Sequence, residues 1–153
     1  DDTVLDLGAA PGGWSQIALE YIGEDGKLVG MDLQHILPLK GAQFLQGDIR
    51  ETETRKELEK LVPKADVVLS DMSPNLSGNY SVDQARSVEL SSLALEIASE
   101  REANSFVVQV FEGSDFQDFR KAVIDEFGSV RTLSPEASRK QSSEVFLIAK
   151  RKR

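Results

Sequence analysis

Apolar residues in this chain gather into short runs, and the stretches between the runs are charged and carry apolar positions at helical spacing. The runs at 3–7, 27–31, 42–46, 65–70 and 105–111 predict strands. Val67-Val68-Leu69 is continuous, as expected of a parallel strand covered on both faces. Helices are predicted over 14–21, 51–61, 82–99 and 116–127. In the third, Val88, Leu90, Leu93, Ala94, Leu95, Ile97 and Ala98 fall mostly on one face and read as core. Phe116, Phe119, Val123 and Phe127 do the same in the fourth, and Pro63 stops the second. Strands at 129–133 and 144–149 complete the pattern. Strand and helix alternate with short connections, no linker and no internal repeat, so residues 1–153 read as one α/β domain.

The first strand breaks into Asp6-Leu7-Gly8-Ala9-Ala10-Pro11-Gly12-Gly13-Trp14, and a helix follows. Strand, glycine turn and helix together bring a ligand against unpaired N–H groups at a helix N-terminus. The spacing is not that of the dinucleotide fingerprint, because Ala9 and Ala10 stand where its central glycine would fall. A glycine-rich turn with no ligand is the plainer alternative. Asp32 ends the second strand, where an acid accepts hydrogen bonds from ribose hydroxyls in doubly wound folds; an exposed loop acid is the alternative. Asp71 follows the fourth strand, at the carboxyl edge where such sheets bind ligands.

Composition narrows the chemistry. There is no cysteine, so disulfides and cysteine-based metal sites or nucleophiles are excluded, and the usage is compatible with a cytoplasmic location. The lone histidine, His35, argues against a histidine metal cluster or a Ser-His-Asp triad, and it falls in an expected solvated loop. No metal is expected. No apolar run approaches a membrane span, and no signal-peptide pattern is present. Formal net charge is −8, unusual for a protein that grips nucleic acid. The charge is uneven: residues 131–153 hold seven Lys/Arg against Glu136 and Glu144, a local net of +5, which leaves −13 on the first 130 residues. The basic end could follow a phosphate backbone, or Lys150 to Arg153 could be only a soluble tail.

The glycine loop resembles that of the FtsJ/RrmJ family of S-adenosylmethionine-dependent ribose 2′-O-methyltransferases. The likeness continues through Gln46-Gly47-Asp48, Ser70 to Gly78, Phe106 to Phe111 and Ser143-Glu144-Val145, in family order. It implies a Rossmann-like doubly wound, mostly parallel seven-stranded sheet, with an antiparallel last strand inserted between its two predecessors (a class I methyltransferase). It also implies S-adenosyl-L-methionine held by Gly8, Gly12, Trp14, Asp32, Asp48 and Asp71, with Asp48 on the adenine amino group. The substrate implied is ribosomal RNA of the large subunit, and a monomer is expected. Before the fifth strand, Glu100-Arg101-Glu102-Ala103-Asn104 departs from the family, and Asn104 is expected to supply the left-handed residue there. Arg139 and Lys140 are the expected RNA contacts beside the basic tail.

By the same resemblance, catalysis uses a Lys-Asp-Lys-Glu set. Asp71 matches its aspartate and Glu144 its glutamate. Gln109 stands at the second lysine, and the first belongs to a segment before the first strand, expected to lie outside this chain. Glutamine donates hydrogen bonds but takes no proton at neutral pH and carries no charge. Three readings stay open: an engineered inactivating change, a natural relative of low activity, or a substrate for which positioning suffices. A cofactor- or RNA-binding ribosome-assembly factor without turnover is the competing class. A small-molecule methyltransferase is a weaker third, and a dehydrogenase is disfavoured by the loop.

Overall fold

The computed structural model describes residues 2–72, 77–134 and 144–152. In chain order the elements are β1 (Thr3–Leu7), α1 (Gly13–Tyr21), β2 (Lys27–Asp32), β3 (Ala42–Gln46) and α2 (Thr52–Leu61). Then come β4 (Val67–Ser70), α3 (Tyr80–Glu100), β5 (Ser105–Phe111), α4 (Phe116–Phe127), β6 (Gly128–Leu133) and β7 (Glu144–Arg151). The seven strands form one sheet in the order β3-β2-β1-β4-β5-β7-β6. β1 to β5 pair in parallel, and β7 is antiparallel to both β5 and β6. The expected sheet and its inserted antiparallel strand are therefore present. The strand order reverses between β1 and β4, which opens a crevice at their carboxyl ends.

The two faces of the sheet are covered unequally. Leu58 of α2, Ile97 of α3 and Phe119, Val123 and Phe127 of α4 pack on Leu5, Leu7, Val68, Phe106, Val108 and Leu147. On the other face α1 lies over β1 and β2, where Ile22 meets Val4 and Leu28. Beyond α1, Val67, Leu69, Val107, Phe146 and Ile148 are only half-buried and line an open apolar groove of about 500 Å³. β4 is thus not covered on both faces as its continuous apolar run suggests. β5 and β7 alternate buried and half-buried residues in the same way.

Two local expectations need correction. Glu102 (φ 54), not Asn104, takes the left-handed conformation after α3, because the helix runs to Glu100 and its next turn closes at Arg101. Asn104 instead donates its N–H to Asp66 O at 3.0 Å. The basic end is also more than a tail. Arg151 is the last residue of β7, pairs with Gly128, and lies 4.7 Å above the Phe127 ring. Arg139 and Lys140 fall outside the described residues.

Candidate functional site

The glycine turn is built by backbone contacts before any ligand is considered. Gly8 N and Ala9 N both donate to Met31 O, at 2.9 and 3.0 Å, and Asp71 N donates to Leu7 O at 3.0 Å. These bonds tie the ends of β1, β2 and β4 into one edge. Gly8 has φ +78, and a Cβ there would lie 2.7 Å from Asp71 O. A side chain is thus barred twice, by conformation and by space. Gly12, with φ 121, is the cap residue just before α1. Asp32 Oδ2 accepts from Ala10 N at 3.0 Å and Oδ1 from Gln34 N at 2.9 Å, so this acid also braces the turn.

Around this edge lies a cleft of about 460 Å³ lined by Gly8, Met31, Asp32, Asp48, Asp71 and Arg86 among others. It is of ordinary size for a small-molecule site. The Asp71 carboxyl is pushed up to about 6, first by desolvation, then by the charges of Glu144 and Asp32. Gln109 and Glu144 stand farther along the sheet on β5 and β7, and Gln109 Nε2 donates to Glu144 Oε2 at 2.5 Å. Gln109 shares the half-buried strand face with Val107, as Glu144 does with Phe146. Asp71 thus lines the cleft, while Gln109 and Glu144 lie on the strand face whose Val107 and Phe146 line the apolar groove.

The structure thus gathers Gly8, Asp32, Asp48 and Asp71 in one cleft, with Gln109 and Glu144 beside Asp71. Gly12 and Trp14 do not line that cleft. The Trp14 ring packs on Phe146, with centroids 5.8 Å apart, and lines the apolar groove. Among the described residues no group of three or more His, Cys, Asp or Glu is placed to hold a metal. No helix among them is long and apolar enough to cross a membrane.

Two features escaped sequence reasoning. Asp6, 1% exposed, accepts from Ser15 Oγ at 2.6 Å and so joins β1 to the first turn of α1 beneath the glycine loop. Burial pushes its carboxyl up to about 6 against the opposing Ser15 hydrogen bond, with Asp71 and Asp32 adding smaller effects in the same direction as burial. An acid within an otherwise apolar strand was the available signal. The second feature is Arg50, whose fork grips Asp48 through Nε–Oδ1 (3.0 Å) and Nη2–Oδ2 (2.9 Å). This pairing holds the Asp48 carboxyl below its ordinary range.

A sheet in this order, with its crevice at a glycine turn, is the scaffold of a methyltransferase. The FtsJ-like methyltransferase family model matches residues 1–152, and the chain belongs to that family. It is 52% identical over 151 residues to a protein of Natronomonas pharaonis named ribosomal RNA large subunit methyltransferase E, covering 97% of this chain and 60% of that one. A protein of the same name from Methanosarcina acetivorans is 49% identical over 154 residues, covering 98% of this chain and 56% of its own. The chain thus spans a little over half the length of these curated relatives. A crystal structure from Plasmodium falciparum, described as a ribosomal RNA methyltransferase, superposes with TM-score 0.86 at 25% identity, over 99% of this chain and 86% of that one.

Proposed function

We propose that the domain binds S-adenosylmethionine in the cleft and transfers its methyl group to a ribose 2′-hydroxyl of large-subunit ribosomal RNA. The observation that carries this reading is that Asp71, which lines the cleft, lies near enough to Glu144 to feel its charge, with Gln109 bonded to Glu144. The names of the relatives support the RNA class, and the quoted motifs support the ribose as acceptor. The donor set suits such a cofactor. Asp32 and Asp48 are acceptors for hydroxyl and amino groups, and Asp71 is an acid beside which a cationic sulfonium would be favoured.

The bound cofactor supplies a methyl group already activated by positive sulfur. The chain's residues have to align the acceptor and help the hydroxyl lose its proton. Gln109 can hold Glu144 and donate to an oxygen but cannot take the proton. Asp71, with its carboxyl near 6, is the group in this row suited to receive it. Gln109 also favours a second reading, a cofactor- and RNA-binding assembly factor without turnover. Calorimetry with S-adenosylmethionine and NAD tests the cleft, and labelled-methyl transfer to undermethylated large ribosomal subunits tests the reaction. Binding of NAD alone would refute the cofactor assignment. Cofactor binding with no transfer would favour the assembly factor.

A further inference from the structure

Residues 47–51 form a tight turn at the edge of the cleft. Gly47 N donates to Asp32 O at 2.9 Å and Glu51 N to Asp48 O at 3.0 Å. Ile49, 4% exposed, is driven into the core, so Asp48 and Arg50 flank a fixed anchor. Asp48 Oδ1 accepts from Arg50 N at 2.9 Å in addition to the two bonds from the guanidinium. Both residues line the cleft together with Met31, Leu33 and Leu90. The Arg50 side chain is 59% exposed, and exposed ion pairs contribute little to folding. A forked, three-bond arrangement around one carboxylate is therefore more than the fold requires.

We propose that Arg50 is the positioning residue that sets the base preference of the cofactor cleft. Its guanidinium fork holds the plane of the Asp48 carboxylate, an acceptor-only group, toward the cleft, so the cleft takes a base with an exocyclic amino group and rejects one with a carbonyl there. This rests on the proposed S-adenosylmethionine reading and on Asp48 as the partner of the base. Arg50 N and Nε both fill Oδ1, and Nη2 takes one direction on Oδ2, which leaves the second direction of Oδ2 for a donor from the ligand. An amino group satisfies it. A carbonyl oxygen would face the carboxylate as acceptor against acceptor, leaving both unpaired. Without the Arg50 side chain the carboxylate keeps only the backbone bond to Oδ1, so Oδ2 can swing toward water and the discrimination weakens. Lysine would keep the charge but not the fork.

The test is calorimetry on the 153-residue chain with S-adenosylhomocysteine and its deaminated counterpart S-inosylhomocysteine. The wild-type protein should prefer the adenosyl ligand by about tenfold or more. Arg50→Ala and Arg50→Gln should bring the two ligands to within roughly threefold of each other, with Arg50→Lys between, and leave the melting temperature unchanged. If Arg50→Ala keeps the full preference, or weakens both ligands by one common factor, Arg50 does not set the preference and the proposal is overturned. Equal wild-type affinity for the two ligands also overturns it while leaving the cofactor site standing. Failure to bind either ligand removes the S-adenosylmethionine reading itself.

Discussion

Gln109 and Glu144 sit on adjacent antiparallel strands and are joined by a 2.5 Å hydrogen bond, Nε2 to Oε2. Gln109 pairs in register with Phe146, so the bond runs diagonally along the half-buried face of the sheet rather than straight across the ladder. It points the glutamine amide at the carboxylate and leaves Asp71 as the neighbouring acid. Where the family resemblance implies a lysine, this chain has a neutral donor.

One consequence is a pH profile. Asp71, raised to about 6, is protonated below that value and cannot accept the hydroxyl proton. Transfer should rise with pH along an acid limb below about 6, because the bound sulfonium draws the Asp71 carboxyl down from its ligand-free value, and level off above it. Asp71→Asn should lower the rate by about 10²–10⁴-fold. In Gln109→Lys a cation stands beside Asp71 and Glu144, so the acid limb should move to lower pH. Single-turnover rates measured from pH 5 to 8 check both expectations.

Asp6 gives a stability prediction of a particular sign. Its folded-state carboxyl is raised from 3.8 to about 6, mainly by burial. Below about pH 4 both folded and unfolded states are protonated and nothing is lost. As pH rises from about 4 to about 6, the unfolded state ionises while the buried folded-state carboxyl resists, so stability falls across that window and levels off above it. Asp6→Asn keeps an acceptor for Ser15 Oγ and should stabilise the domain at pH 7.5 by on the order of 2 kcal/mol, with little change at pH 4. Urea unfolding at the two pH values measures this. An Asn variant less stable at both would mean that the charge itself holds the loop.

Gly8 tests the construction of the turn. Alanine there must adopt φ +78 and place its Cβ 2.7 Å from Asp71 O. Gly8→Ala should cost about 2–3 kcal/mol in stability and weaken cofactor binding, because the edge that carries Asp71 has to move. Gly13 has no atom within 4 Å of its would-be Cβ. Gly13→Ala should therefore be stable, so any loss of cofactor affinity there reports on the ligand rather than on the fold.

Much of the fold was legible because parallel strands buried against helices produce short apolar runs, and β1 and β2 are such runs. The glycine turn announced itself through Gly8 and Gly12, and Asp32 and Asp71 through their places just at or after strand ends. What was hidden depends on partners distant in sequence. Ser15 meets Asp6 only once α1 folds back over β1. Val67 and Leu69 look fully buried locally, yet their second face depends on how many helices lie on that side of the sheet. The Trp14 ring, next to the glycine loop in sequence, points to Phe146 on β7, a contact that requires the inserted strand. Arg50 reads as one more surface charge until the turn at Asp48 closes on it. Arg151 reads as tail until β7 is seen to run past Lys150.

The most direct test of the account is the position of the transferred methyl group. Undermethylated large ribosomal subunits would be incubated with labelled S-adenosylmethionine and either this chain or its Gln109→Lys form, and the RNA then hydrolysed with alkali. A 2′-O-methyl group blocks cleavage at its own nucleotide, so ribose methylation leaves the label in alkali-stable dinucleotides. The account predicts label in that fraction, weak with Gln109 and stronger with lysine, whose cation keeps Asp71 ionised as the proton acceptor. Label in the mononucleotides instead, or none from the lysine form despite cofactor binding, would contradict it.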